Sequence, residues 1–594
     1  MSAAVADSTT PSGDYASTFT QNNHGVAASN QSNSVQVPVT KEGTSPFSCL
    51  KRGWFALRWK LSTSIFSRPL PFFTAQLDLK FGDMLVTLPA AAVVLAINAN
   101  LCAKQDVRGS GSLPMIMMIV VFALTVRNNS ILLTLTGLPF ERALLYHKFF
   151  GVVAILLTGL HGLAYLLENA GVAVARRHRR LQRGSGGSSS GPMMSQQFSG
   201  AICFYLMLAL WVFSLSPIRR RFYEAFLRMH WLLFIGIVVF AVIHGAGGVV
   251  VGLIPWGLDL VFRHGHLVQK YFRGGLFNIC CGKSTSGTSK PGVISQQQVS
   301  MSHLPGNILR IQFPSVHPDT GESFKYEAGQ YVFICVPKLS LLEWHPFTIS
   351  SSPHETLVTI HIKGLGDWTK KLLAAIPLTS DGNHQAVPAP FPILVDGPYG
   401  SVSVDIENPK TYSQVALFSG GIGITPMQAI ANQLFFDFHH RGRQALKKVH
   451  FVWSVRERDM VEAIMNAEFV EERKLVHGHT PAYLPDDLLS AGPNGGSTSP
   501  DDVFKTEFYL TRGQPDPENP IDRRLQHCLR YNTRPDVADV LKTLGQDAQK
   551  HGKKRVAVLV CGPSALVRDV INHAMKLERT SKIKYDVHTE CFDF

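Results

Sequence analysis

"LLYHKFFGVVAILLTGLHGLAYLL", from Leu144 to Leu167, decides the architecture of this chain. A helix that crosses a bilayer needs roughly 20 mostly apolar residues, and this stretch supplies them. Inside it stand two histidines, His147 and His161. A later stretch, "FLRMHWLLFIGIVVFAVIH" from Phe226 to His244, repeats the arrangement with His230 and His244.

In each stretch the histidines are fourteen positions apart. Along an α-helix that is about 21 Å, and fourteen steps return to within about 40° of the starting face. Each helix therefore offers two imidazoles on one stripe, at two depths. A lone histidine in a membrane helix is as readily explained by a hydrogen bond to a neighbour. Two helices with the same spacing are harder to explain that way, because polar groups at membrane depth are costly and mostly functional. Neutral imidazole is an axial ligand for haem iron. Two haems, each clamped between the two helices, use all four residues, and fully ligated iron would exchange electrons rather than bind oxygen directly. A zinc or copper ion does not, since ligands about 21 Å apart on one helix cannot share an ion.

Four further apolar segments extend the membrane domain to six expected spans: Met84 to Cys102, Leu113 to Leu135, Leu144 to Leu167, Ala201 to Ser216, Phe226 to His244 and Val249 to Phe262. The third and fifth run in the same direction, so the expected pairs are His147 with His230 at the inner level and His161 with His244 at the outer level. Arg127, beside Asn128 and Asn129, interrupts the second span. A haem propionate is one partner for it and helix packing beside water is the other.

Composition fits a membrane protein with a cytosolic half. The formal net charge is +14. Much of the excess stands beside apolar segments, as in Lys51, Arg52, Arg58, Lys60 and Arg219 to Arg221, where the cytosolic edge of a bilayer explains it without a nucleic acid. Residues 1–44 hold little that a core could bury and no basic start followed by an apolar run, so a disordered, cytosolic amino terminus is expected. The nine cysteines show no disulfide framework. Arg176, Arg177, Arg179, Arg180 and Arg183 begin what reads as a flexible Gly/Ser-rich loop. It faces outward, against the positive-inside tendency, either as a solvated insertion or as a surface that draws in anionic acceptors.

From Gly292 onward short Val/Ile/Phe-rich runs broken by Gly and Pro predict an antiparallel barrel or sandwich. After about Gly400, strand-like runs alternate with helical segments, as in a parallel sheet with crossover helices. "FSGGIGITPM", Phe418 to Met427, sits where a strand turns into a helix; Gly420, Gly421 and Gly423 let the backbone approach a phosphate, with Thr425 and Pro426 opening the helix.

"HPFTIS" (345–350) following "AGQYVFICVP" (328–337), together with the histidine quartet and the run "RNNSILLTLTGLPFERALLYHKFFG", resembles the ferric reductase and NADPH oxidase superfamily, from about Phe81 to Phe594. The resemblance implies four regions: a cytosolic tail (1–82), a transmembrane di-haem domain (83–270), an FAD-binding β-barrel (290–400) and an NADPH-binding α/β domain (401–594). It implies two b-type haems, FAD and NADPH. It assigns flavin contacts to His345, Pro346, Phe347 and Thr348. "HIKGLGDWT" (361–369) resembles the pyrophosphate segment, with Lys363 as the cation and Gly366, Trp368 and Thr369 around the phosphates. Arg456 in "WSVRERD" and Arg534 in "NTRPDV" match positions that meet the ribose 2'-phosphate. Cys561, Gly562 and Pro563 match the strand end that carries a thiol beside the nicotinamide, and Phe594 matches a terminal aromatic that covers the flavin. Cys561 and Phe594 are thus the expected catalytic residues.

The implied activity is NADPH-dependent reduction of an extracytosolic ferric or cupric chelate, at the plasma membrane, with a ferrous iron transporter as a natural partner and a homo-oligomer compatible with the chain. The fourteen-residue spacing on both helices resembles the metal reductases. No EF-hand loop precedes the membrane domain, which speaks against calcium-gated oxidases but not against every oxidase. The alternatives are a superoxide-generating NADPH oxidase and, in another class, a haem-bearing scaffold or sensor.

Overall fold

The computed structural model describes residues 80–126, 140–180, 196–258, 293–294, 299–316, 324–340, 343–376, 387–400, 402, 404, 406, 411–465 and 503–590, with no side-chain description for 140–141, 172–180, 220 and 293–294. Arg127, Arg183, Phe594 and most of the expected amino-terminal tail lie outside the described residues.

The membrane half contains α1 (Phe81–Ala103), α2 (Val107–Ala123), α3 (Phe140–Arg180), α4 (Gln196–Phe213) and α5 (Tyr223–His244). Among the described residues four helices, in α1, α3, α4 and α5, are long and apolar enough to cross a bilayer, and Val107–Ala123 and Gly247–Leu258 are shorter apolar helices. Six full spans are therefore not what the described residues hold. The second expected span, Leu113 to Leu135, and the sixth, Val249 to Phe262, both run beyond the described residues. Gly245, left-handed at φ 106°, ends α5, and the glycines that follow fold as a 3₁₀ turn, Gly247–Gly252. That turn packs on α2 so closely that a methyl group on Gly252 would lie 2.9 Å from the Ile119 backbone. The expected loop from Arg176 is also corrected: the backbone stays helical through Arg180, since arginine is a good helix former.

A polar clamp ties α1 to α3. Asp83 accepts hydrogen bonds from Tyr146 Oη at 2.7 Å and from Arg142 Nη1 at 3.2 Å, and it is buried. A lone buried carboxylate would be costly there, and the paired one is tolerated. Tyr146 immediately precedes His147, so the clamp also fixes the start of the histidine stripe.

The flavin-type region is two antiparallel four-stranded sheets. One has the order β1 (Val293–Ile294), β8 (Ile393–Tyr399), β4 (Tyr331–Cys335), β5 (His345–Thr348); the other β6 (Leu357–Lys363), β3 (Ile308–Pro314), β2 (Ser300–Leu304), β7 (Val387–Pro388). Both contribute to one apolar core, and an Ile349–Ile360 bridge joins them at one edge. Helix α6 (Asp367–Ala374) adds Trp368, Leu372 and Leu373 to that core.

The nucleotide-type region is a six-stranded parallel sheet ordered β12 (Leu529–Tyr531), β11 (Phe504–Leu510), β10 (Lys448–Val455), β9 (Gln414–Gly420), β13 (Arg555–Cys561), β14 (Lys584–Glu590). Val415 and Leu417 of β9 enter one core with α7 (Ile424–His439) and α8 (Arg458–Met465), whereas Ala416 and Phe418 enter a second core with α9 (Val537–Lys550) and α10 (Ser564–Thr580). Alternate side chains of one central strand thus feed two layers, as a sheet covered on both faces requires.

The two regions meet where the 350–355 loop rests on α7. Ser352 Oγ donates to the Ala429 carbonyl at 2.5 Å, and the His354 ring stacks on Phe436 at 4.0 Å between centroids. Glu355 accepts from the Ser352 amide at 2.7 Å and from Asn432 at 3.4 Å. Burial outweighs these bonds and pushes its carboxyl up to about 7 from an ordinary 4.5. A carboxyl with a raised folded pKa contributes full stability below about 4.5, loses it as pH climbs toward 7, and changes nothing further above. Glu355→Gln is therefore expected to flatten the fall in Tm of the full chain between pH 5 and pH 8. Scanning calorimetry across that window would show parallel curves if the junction carboxyl were irrelevant.

Candidate functional site

Helices α3 and α5 bring the four histidines together in pairs. His147 and His230 have ring centroids 6.3 Å apart, and His161 and His244 5.8 Å apart. Two metal–nitrogen bonds of about 2 Å each, with the half-width of each ring, span about 6 Å. The separations therefore fit one iron between the rings of each pair. Among the described residues no group of three or more His, Cys, Asp or Glu is placed to hold a metal ion, so these histidines meet strictly in twos.

Their outer nitrogens are already engaged. His147 Nδ1 lies 3.0 Å from the Val121 carbonyl oxygen, His161 Nδ1 3.0 Å from Ser110 Oγ and His244 Nδ1 2.6 Å from the Gln196 carbonyl oxygen. A carbonyl can only accept, so His147 and His244 carry their proton on Nδ1 and leave a lone pair on Nε2, the state a metal ligand needs. The inner pair borders a cavity of about 480 Å³ lined mainly by apolar groups such as Phe122, Phe226, Trp231 and Phe234. Lys148 and Arg219 line the same cavity, and Arg219 Nε is buried without a partner among the described residues. A cation aimed into an apolar cavity suits the carboxylates of a haem. Sequence reading assigned that task to Arg127 and took Arg219 for one of several cytosolic-edge charges; only the fold shows that Arg219 borders the cavity.

In the flavin-type region two distant motifs converge on one tryptophan. The His345 ring lies 4.2 Å from Trp368 and the Phe347 ring stacks on it at 6.0 Å and 25°. Two positions apart on β5, His345 and Phe347 share one face of the strand, while Pro346 and Thr348 take the other. His345 Nε2 and Trp368 Nε1 are both buried without a partner among the described residues, which leaves them to a polar ring system such as FAD. Burial lowers the pKa of His345 to about 4, so its imidazole is neutral near pH 7. Lys363 ends β6, and Gly366 caps α6, where Thr369 Oγ1 accepts from the Gly366 amide at 3.0 Å.

In the parallel sheet the strand order reverses between β9 and β13. Ligands of such sheets bind in the crevice outside the carboxyl ends of the strands at this switch point. Gly420, Gly421, Gly423, Thr425 and Pro426 stand at that end of β9, facing Cys561, Gly562 and Pro563 at that end of β13. Side chains are sterically excluded between the two loops: a methyl group on Gly423 would lie 2.5 Å from the Cys561 carbonyl oxygen, and one on Gly420 2.6 Å from Pro563 Cδ. Gly562, at φ 157°, presses its own Cα side against the Gly420 backbone. Trp453 Nε1 anchors the first loop by donating to the Gly421 carbonyl at 2.9 Å.

The adjacent strands carry arginines to the same edge. Arg456 follows β10 and Arg534 lies beyond β12, both exposed. Arg512 follows β11, whose Leu510 pairs with both Val455 and Tyr531, so it belongs to the same rim. Sequence reading missed Arg512 because no motif marks it; the signal was its place two residues past a strand end. Cys561 is buried and in register with Ser419 and Glu590.

Three family models match this chain in the order of its regions: "Ferric reductase like transmembrane component" at 110–241, "FAD-binding domain" at 293–403 and "Ferric reductase NAD binding domain" at 412–575. The chain belongs to the ferric reductase and NADPH oxidase superfamily. Within the superfamily it is 27% identical over 377 residues to NADPH oxidase 1 of Mus musculus, covering 54% of this chain and 59% of that one. It is 29% identical over 373 residues to ferric reduction oxidase 7, chloroplastic, of Arabidopsis thaliana, covering 59% of this chain and 43% of that one. The match thus spans less than two thirds of either relative's length. A ferredoxin NADP+ reductase from Neisseria gonorrhoeae with bound FAD and NADP is 13% identical, covering 49% of this chain and 97% of that one at a TM-score of 0.30, too low to carry a fold assignment.

Proposed function

We propose that the chain carries electrons from cytosolic NADPH, by way of FAD and two b-type haems, to a ferric chelate outside the cytosol. The observation that carries this reading is the pair of facing histidine couples on α3 and α5, at two depths of one membrane domain. Bound FAD converts a two-electron hydride donor into single electrons, and the haems relay these.

The protein's own groups hold and orient. His147 with His230 and His161 with His244 would each hold one haem iron, and Arg219 would neutralise haem carboxylates at the inner level. His345, Pro346, Phe347 and Thr348 line the flavin, with Trp368 packed behind His345. Lys363, Gly366 and Thr369 take the pyrophosphate. Gly420, Gly421 and Gly423 admit the nicotinamide nucleotide against Cys561, Gly562 and Pro563. Glu590, the last described residue, pairs with Cys561 at this crevice and stands four positions before Phe594, which supports a role for Phe594 over the flavin. The four-region division and a plasma-membrane site with cytosolic nucleotide regions belong to the same proposal.

Arg456 and Arg534 give the reading its cofactor preference. A guanidinium bonded to a phosphate dianion contributes roughly 1.5–3 kcal/mol. The double variant Arg456→Ala/Arg534→Ala is expected to raise KM for NADPH by at least about a hundredfold and leave KM for NADH nearly unchanged. Equal changes for both nucleotides in steady-state assays would remove these residues from the 2'-phosphate.

Ferric chelate is preferred as acceptor because both helices keep the fourteen-residue spacing. A copper chelate would use the same route. The second reading, superoxide production, draws on a relative named NADPH oxidase. Purified protein in nanodiscs, supplied with haem, FAD and NADPH, distinguishes them by initial rates of ferric citrate reduction. Reduction that persists anaerobically and ignores superoxide dismutase supports the metal reductase; reduction that vanishes while superoxide accounts for the NADPH consumed supports the oxidase.

A further inference from the structure

We propose that Ser110 is the positioning residue of the outer histidine pair, fixing His161 with its proton on Nδ1 and its lone pair on Nε2. Ser110 is buried on α2, and its hydroxyl donates to the Val107 carbonyl at 3.0 Å. A serine hydroxyl has one proton to give. With that proton committed, Oγ can only accept from His161 Nδ1, 3.0 Å away. The other two Nδ1 bonds of the quartet go to backbone carbonyls, and His230 Nδ1 is buried without a partner among the described residues. The Val107 carbonyl that holds the Ser110 hydroxyl also faces the His161 ring, so it favours the same tautomer, and among the described residues Ser110 is the one side chain bonded to an Nδ1 of this quartet.

The next residue holds the ring in place. A methyl group on Gly111 would lie 3.0 Å from His161 Cε1, so α2 passes directly over the imidazole. Donation from Nδ1 raises the basicity of the opposite nitrogen. A more basic ligand stabilises ferric over ferrous iron, so the hydroxyl holds the outer potential down, and the outer haem becomes a better donor to whatever it meets outside the membrane.

This inference rests on the haem reading of the histidine pairs, and the experiment separates the two. Potentiometric titration of the haem-loaded full chain in nanodiscs, followed by visible absorbance, reports each haem's midpoint without turnover. Ser110→Ala is expected to move one wave upward, changing the ferrous-to-ferric ratio at fixed potential by roughly threefold to tenfold, as losing one hydrogen bond implies. Ser110→Thr, which keeps the hydroxyl, should restore the wave. Ser112→Ala should move neither wave, since Ser112 makes the matching back-bond to Gly109 at 2.8 Å on the exposed side of α2. Loss of a single haem in Ser110→Ala, with both retained in the other two variants, supports the same role. Two unmoved waves in a fully loaded Ser110→Ala protein overturn it. Fewer than two haems in the unaltered protein would defeat the haem reading instead.

Discussion

His147→Ala should leave the protein with one haem instead of two and cut NADPH-driven reduction of ferric citrate by more than about a hundredfold. Partners that merely orient a metal ligand already cost about tenfold to a hundredfold when removed, and His147 is an expected ligand itself. Its partner His230 has no bond at Nδ1 among the described residues to steady it as a lone ligand. The outer pair does not substitute, because fourteen helical residues place it about 21 Å away. Haem content per flavin, measured by the pyridine haemochrome, should halve, while NADPH oxidation by a soluble dye that draws directly on the flavin should stay intact. A variant with two haems and normal ferric reduction would remove His147 from the electron path.

Gly423→Val should abolish the nucleotide crevice while sparing the membrane half. Its first added carbon would stand 2.5 Å from the Cys561 carbonyl oxygen, which is backbone and cannot swing aside. Overpacking of this kind costs about 1–3 kcal/mol, and here the strain falls where the nicotinamide must enter. KM for NADPH is expected to rise by at least about tenfold and kcat to fall with it. Haem spectra after dithionite reduction should be unchanged. Normal NADPH kinetics would mean that the β9 and β13 loops part more easily than their packing implies.

How far these sites can be read from sequence differs by region. The histidine stripes were legible because helical geometry converts a spacing of fourteen directly into a shared face. The flavin motifs were legible only as strings; that Trp368 lies against both His345 and Phe347 depends on α6 folding back over β5, a long-range contact no local pattern carries. Gly420 to Gly423 announced a phosphate loop, but their pairing with Cys561 and Gly562 needed the order of the sheet. The second and sixth apolar segments, Leu113 to Leu135 and Val249 to Phe262, run beyond the described residues, so the number of spans rests on hydropathy there. The arginines after Ala175 misled because charge beside a Gly/Ser run reads as loop, although arginine propagates a helix well.

The order of the parallel sheet has a consequence for how the protein is made. Strand β9 lies between β10 and β13, and it emerges from the ribosome well before its second neighbour, Arg555–Cys561. During that interval β9 has one row of amide and carbonyl groups with nothing to pair, the kind of naked margin through which nascent chains stick to one another. The half of the crevice formed by Gly420 to Gly423 is synthesised early, but the wall it closes against comes late. The crevice is therefore completed only after the synthesis of more than a hundred further residues, and the chain can hold a nucleotide there only once β13 has joined the sheet.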